Sequence, residues 1–168
     1  MWREPTLRPK ERNAKSIQFN RPRPGRLPQS HRHVAAVWHT YIDRWGWGYS
    51  QGFRDYYQDS QGWTQSGIID AISPMIYSAN PETFRLERWR MLVADFQAQR
   101  GNRYVIPGIG SDQPFSEIAA RIAAARDLGT AGHALFSYTA LEGYGYFDDL
   151  RAGPYATPAA VPGLPWRN

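Results

Sequence analysis

A chain of 168 residues is long enough for one domain with a core, but short of the roughly 250 residues of an eight-fold β/α barrel. With 42% hydrophobic and 21% charged residues it belongs among globular chains, and with no cysteine it can hold neither a disulfide nor a thiolate metal site. The net charge of +5 is confined to one end: residues 1–33 hold nine Lys or Arg against two Glu, while the remainder holds eleven Arg against thirteen acids, leaving a body of net −2 that suits no nucleic acid.

Residues 1–33 also contain five of the thirteen prolines and show no period of 2 or 3.6, so they read as a disordered basic arm. Such an arm could serve an acidic partner. The leading reading is an idle tail or a mistaken start, the Arg-, Pro- and Ser-rich text of a GC-rich gene read out of frame. No apolar run reaches the length of a membrane span, and no signal-peptide core opens the chain, which reads as soluble with no visible address.

From residue 34 to 152 the pattern becomes that of a folded domain. His33–Trp38, Ile68–Tyr77, Tyr104–Ile109 and His133–Tyr138 are short, nearly continuous apolar runs, as expected of parallel strands covered on both faces; Pro74 weakens the second. A helix from Tyr56 to Ser66, closed by Gly67, precedes the second run. Another starts at Asn80-Pro81, places Leu86, Trp89, Val93 and Phe96 on one face, and ends at Gly101. A third opens near Asp112-Gln-Pro114, carries Phe115, Ile118, Ile122, Ala125 and Leu128, and stops at Gly129, a left-handed cap. Residues 153–168, rich in proline, read as an exit segment. Four βα units predict an α/β fold with a parallel sheet, either open and doubly wound or half of a closed barrel.

Several motifs resemble chemistry without its context. Gly48-Tyr-Ser50-Gln-Gly52 matches a nucleophile elbow, but the residues before it are loop-like where an elbow needs a strand. Gly108-Ile-Gly110 lacks the third glycine of a dinucleotide fingerprint, having Gln113 there, and reads as a tight turn. His31, His33, His39 and His133 form no metal spacing, so no metal and no cofactor is expected.

The aromatic residues are more informative. Ten of them lie between Trp38 and Tyr77, many in an irregular stretch after the first strand, where an α/β barrel keeps its binding loops. Flat rings beside carboxylates suit sugars, the rings stacking on pyranose faces; the same rings could instead pack the loop onto the rim, and Trp63 reads as core.

Tyr56-Tyr-Gln-Asp-Ser-Gln-Gly-Trp63, Gly67-Ile-Ile-Asp-Ala-Ile-Ser-Pro-Met-Ile-Tyr77, Gly108-Ile-Gly110 and Ala125-Arg-Asp-Leu-Gly-Thr-Ala-Gly-His-Ala-Leu-Phe-Ser-Tyr138 together resemble the glycosyl hydrolase-like 10 family, in order from about residue 34 to 162. The resemblance implies a glycoside-hydrolase-type TIM barrel of which these strands are the fifth to eighth, a polysaccharide or bacterial cell-wall glycan such as peptidoglycan as partner, and an exported location. It also places the family's catalytic His and paired aspartates in a first half that has no counterpart here.

Asp70 falls at the start of its strand, the stability end of a barrel, and reads as structural. Asp43 and Asp59, near the aromatic loop, are the remaining catalytic candidates, yet glycoside hydrolysis needs two carboxyls ~5–10 Å apart. Trp38, Trp45, Trp47, Tyr57, Met75, Tyr77 and Tyr138 are the candidate substrate-binding residues. The expected function is glycan binding without independent catalysis; the alternative is a glycan- or partner-binding module with a working basic arm. Open barrel edges add the expectation of a homodimer.

Overall fold

The computed structural model describes residues 32–77 and 85–167. The basic arm up to residue 31 and the Asn80-Pro81 helix start lie outside the described residues.

Strand β1 (Val34–Val37) pairs in parallel with β2 (Ala71–Pro74), and β2 pairs in parallel with β3 (Tyr104–Val105). A second parallel pair joins β4 (Gly108–Gly110) to β5 (Ala134–Phe136). The described residues thus form a mixed α/β fold with two small parallel sheets and no closed barrel. Pro74 sits inside β2, opposite Val37, because the β2–β3 ladder has already ended at Ile72 and Val105 and no bond there is lost.

The expected third strand is observed as β3 and β4, a correction with a simple cause. The N–H groups of Tyr104 and Ile106 donate to Asp70 and Ile72 on one side, at 3.0 and 2.9 Å. On the other side the carbonyls of Val105 and Pro107 accept from Ala131 and Ala134, at 3.3 and 3.0 Å. Residues 104–110 are therefore one extended passage between β2 and β5, interrupted at Pro107, which has no N–H to give. The passages run side by side in chain order, β1, β2, β3 with β4, then β5, so the order never reverses as it would in a doubly wound sheet.

The helices gather on one face. Helix α3 (Leu86–Gln99) buries Trp89, Leu92, Val93 and Phe96. Phe96 packs with Val37, Ile72 and Val105, one residue from each strand of the first sheet. Trp89, Leu92 and Val93 join Ile109 and the Ile118 and Ile122 pair of helix α4 (Phe115–Asp127) in the larger core. The Trp89 indole, fully buried, donates to the Gly108 carbonyl at 3.2 Å, so its polar atom is not stranded. At the end of α4, Gly129 is left-handed at φ +65° as expected, and Thr130 N donates back to Ala125 O at 3.1 Å.

Three further expectations are corrected. The single helix from Tyr56 to Ser66 is two: α1 (Gly52–Tyr56) and α2 (Ser60–Gln65), because Tyr57 turns left-handed at φ 56° and Asp59 then caps α2 through Gly62 N. The fourth strand stops at Phe136, and Ser137 caps a helix, α5 (Tyr138–Tyr144), followed by α6 (Phe147–Ala152); both bury a leucine, Leu141 and Leu150, in the larger core. Finally, the exit segment returns to the domain.

That return ends at Asp70, just before β2 and 4% exposed. Its carboxylate accepts from His33 N at 2.7 Å, Trp166 Nε1 at 2.8 Å and Arg167 Nε at 2.9 Å, while the second Arg167 nitrogen bonds the other oxygen. Tyr104 OH donates to Gly163 O at 2.6 Å, and the Arg103 guanidinium lies 4.7 Å from the Trp166 ring centre. Burial alone would raise the Asp70 pKa, but the donors from His33, Arg167 and Trp166 outweigh it and hold the carboxyl below its ordinary range. The expected structural role of Asp70 is thus given by named bonds. Asp70→Ala removes the carboxylate that His33, Trp166 and Arg167 share in a nearly buried site, and should cost about 3 kcal/mol in urea unfolding and expose residues 153–167 to protease.

Candidate functional site

In parallel sheets, binding groups collect beyond the carboxyl ends of the strands. Here those ends deliver Trp38, His39 and Thr40 after β1, Met75 and Tyr77 after β2, Ser111 after β4, and Tyr138 after β5. The Val37–Pro74 register puts Trp38 beside Met75.

Each ring has identifiable neighbours. Trp38 Nε1 donates to Ser50 O and Ser50 Oγ at 3.0 and 3.1 Å, Trp38 N donates to Gln58 Oε1 at 2.8 Å, and its ring lies 4.2 Å from that of Tyr56. Tyr77 stacks on Phe136 at 4.8 Å and 17°, and the Tyr77 ring lies against Gly108, where an added Cβ would come within 2.5 Å of it. Any side chain at position 108 would displace the Tyr77 ring. Phe136 is 59% exposed and Tyr138 64% exposed. Tyr138 OH donates to Glu142 Oε1 at 3.2 Å and its ring lies 5.2 Å from Phe147. Tyr57 is 90% exposed at the end of α1.

Trp45 and Trp47 take the packing role. They stack on one another at 4.5 Å, press against the larger core, and Arg88 of α3 sits 4.9 Å over Trp47 while donating to Tyr49 OH at 2.5 Å. Asp43 organises this loop from inside. It accepts from Trp45 N at 3.2 Å and Gly48 N at 2.7 Å. Burial pushes its pKa up, but backbone N–H groups of Trp47, Gly48, Trp45 and Gly46 together bring it below the ordinary carboxylate value. Gly46 and Gly48 supply the left-handed backbone, at φ +69° and +75°, that turns these amides inward.

Asp59 is occupied as well. Besides capping α2, it accepts from Tyr41 OH at 2.8 Å, and burial followed by this bond pushes the Tyr41 pKa up to about 12. The two candidate carboxylates therefore belong to separate local structures, a loop knot and a helix cap.

The remaining motifs are structural. Ser50 follows loop rather than strand and receives the Trp38 indole, so no nucleophile elbow forms. Gly108–Gly110 is strand β4 rather than the expected tight turn, and Gln113 donates to Gly110 O at 2.7 Å. Among the described residues no group of three His, Asp or Glu could hold a metal ion, and no helix is long and apolar enough to cross a membrane. A cavity of about 340 Å³ lies at the opposite end of β5, beside His133, Tyr155 and Arg126.

Sequence reasoning missed His39, Phe136 and Ser111. Phe136 was legible only as strand, and nothing in sequence said that its ring stays uncovered. Ser111 is fully buried at the end of β4 with its hydroxyl unpartnered among the described residues. His39 bonds Thr40 Oγ1 at 2.7 Å and meets the Tyr49 ring edge-on at 6.0 Å. Comparisons with protein-family models, curated proteins and solved structures find no match to this chain.

Burial pushes the His39 pKa down from 6.5 to about 4. The unfolded chain therefore binds the proton first, and the stability this group contributes is complete above pH 6.5 and lost as pH falls toward 4. Since the ring is partly exposed, the loss should be about 1–2 kcal/mol. Urea unfolding of the native chain against His39→Asn, which keeps an acceptor for Thr40 but does not titrate, should show a larger acid-dependent loss in the native chain, the difference being the His39 contribution.

Proposed function

We propose that the chain is a partial (β/α) barrel of glycoside-hydrolase type, corresponding to the second half of such a barrel, that binds a cell-wall glycan along the carboxyl ends of its strands and contributes binding rather than catalysis. The parallel passages in unbroken chain order and helices on one face support the barrel reading. The resemblance to the glycosyl hydrolase-like 10 family supports peptidoglycan-type glycans as the ligand class.

The observation that carries the binding reading is the stacked Tyr77–Phe136 pair with Tyr138 next along the chain, because two of the three rings are largely open to solvent. A flat ring offers the CH-rich face of a pyranose a broad apolar surface at little cost in side-chain entropy, and the Glu142 carboxylate held by Tyr138 is an acceptor for sugar hydroxyls. Trp38 and Met75 extend the same rim. Asp43 and Asp59 serve backbone and helix cap, which leaves no acid–base pair among the candidates named from sequence.

Titration with β-1,4-linked N-acetylglucosamine oligomers and soluble peptidoglycan fragments, followed by calorimetry, tests this. Saturable binding is expected, with Phe136→Ala and Tyr138→Ala each weakening it about 3- to 10-fold. Absence of saturable binding to either probe would remove the glycan reading, and release of reducing ends by the chain would overturn the non-catalytic one.

A further inference from the structure

Parallel strands that carry helices on one face need cover on the other. Among the described residues the second face is covered in part, by Gly163 and Trp166 against Tyr104 and by Tyr77 against Gly108, and is open over β1 and the end of β5. Val34 (52% exposed), Ala36 and Phe136 are exposed, and Met75, Ile106 and Ala134 are half-buried. By the strand register these residues alternate with Val37, Ile72, Val105 and Ile109, which face the helices. None of the strand residues on this face is charged, which is the composition of an interior rather than of a wetted surface.

Among the described residues both edges are open in the same sense. His33 and Val37 carbonyls receive Ala71 and Met75 N–H, so Val34 and Ala36 between them turn their own N–H and C=O away from β2. At the far side, Ala134 donates to Pro107 and Phe136 accepts from Ser111, so the Leu135 backbone faces outward.

We infer that the occupant of this face is a second copy of the chain, related by a two-fold axis parallel to the strands. Such an axis preserves strand direction. The β5 strand of each copy then lies parallel to β1 of the other, two identical seams close both edges at once, and four passages become eight. Eight parallel strands enclose an interior that side chains just fill. An axis across the strands would instead pair β1 with β1 antiparallel, closing one edge and leaving the face open; a single peptide would likewise cover only one edge. The closed arrangement sets the two aromatic rims around one mouth. The inference rests on the partial-barrel reading and not on glycan binding, and its test contains no glycan.

The measurement uses the full chain, whose lack of cysteine makes any introduced thiol unique. Sedimentation equilibrium should give twice the 19.2 kDa of one chain, dissociating on dilution. Ala36→Cys and Ala134→Cys chains, mixed and treated with a short bis-maleimide, should couple into a covalent pair, whereas neither variant should couple alone. A single-chain mass at every concentration overturns the inference, as does coupling within either variant alone or a dimer whose mixed variants fail to couple. Larger open assemblies would overturn it too, since they mean edges that meet without closing.

Discussion

The Asp70 carboxylate is where the separate parts of the chain are tied together. It holds the amide of His33 as the chain enters β1, stands at the entrance to β2, and receives Trp166 and Arg167 from the far end of the sequence. A carboxylate at 4% exposure has lost nearly all its hydration, and only a full set of donors makes that position tenable. The bidentate guanidinium and two N–H groups supply that set. With the amino ends of the strands tied this way, β1 and β2 share a common origin and their register follows.

Fixing one end leaves the other free to be built from loops. The long connection after β1 is shaped by a second carboxylate, Asp43, which gathers backbone amides that left-handed glycines turn inward. Around that knot Trp45 and Trp47 stack and are pinned by Arg88, so the loop is secured to α3 without regular structure. The aromatic richness thus divides into two kinds of work. Rings before position 50 largely hold the loop in place, whereas Phe136 and Tyr138 are held by neighbours and still present open faces.

The unequal treatment of the two sheet faces has the same origin. Strands that follow one another in chain order with helical crossovers of one hand place every helix on one side. The core of Trp89, Ile109, Ile118 and Ile122 is complete there, and the opposite side keeps small and apolar residues that Trp166 and Tyr77 cover only in part among the described residues.

How much of this was legible in the sequence depends on whether a signal is local. The apolar runs that became β1, β2 and β5, the helical spacing of Trp89, Val93 and Phe96, and the stop at Gly129 all follow from side-chain period and backbone freedom, which a chain displays before it folds. The position of Asp70 at a strand start was enough to mark it as structural, but its partners lie up to 97 residues away and could not be read. Pro107 splitting one passage in two, Tyr57 dividing a helix, and the return of residues 153–167 were likewise hidden, because each depends on which distant group takes a hydrogen bond. The same holds for the rim: sequence determined that aromatics crowd this region, and only the tertiary structure decided which rings are consumed by packing and which stay open, since exposure depends on every neighbour at once.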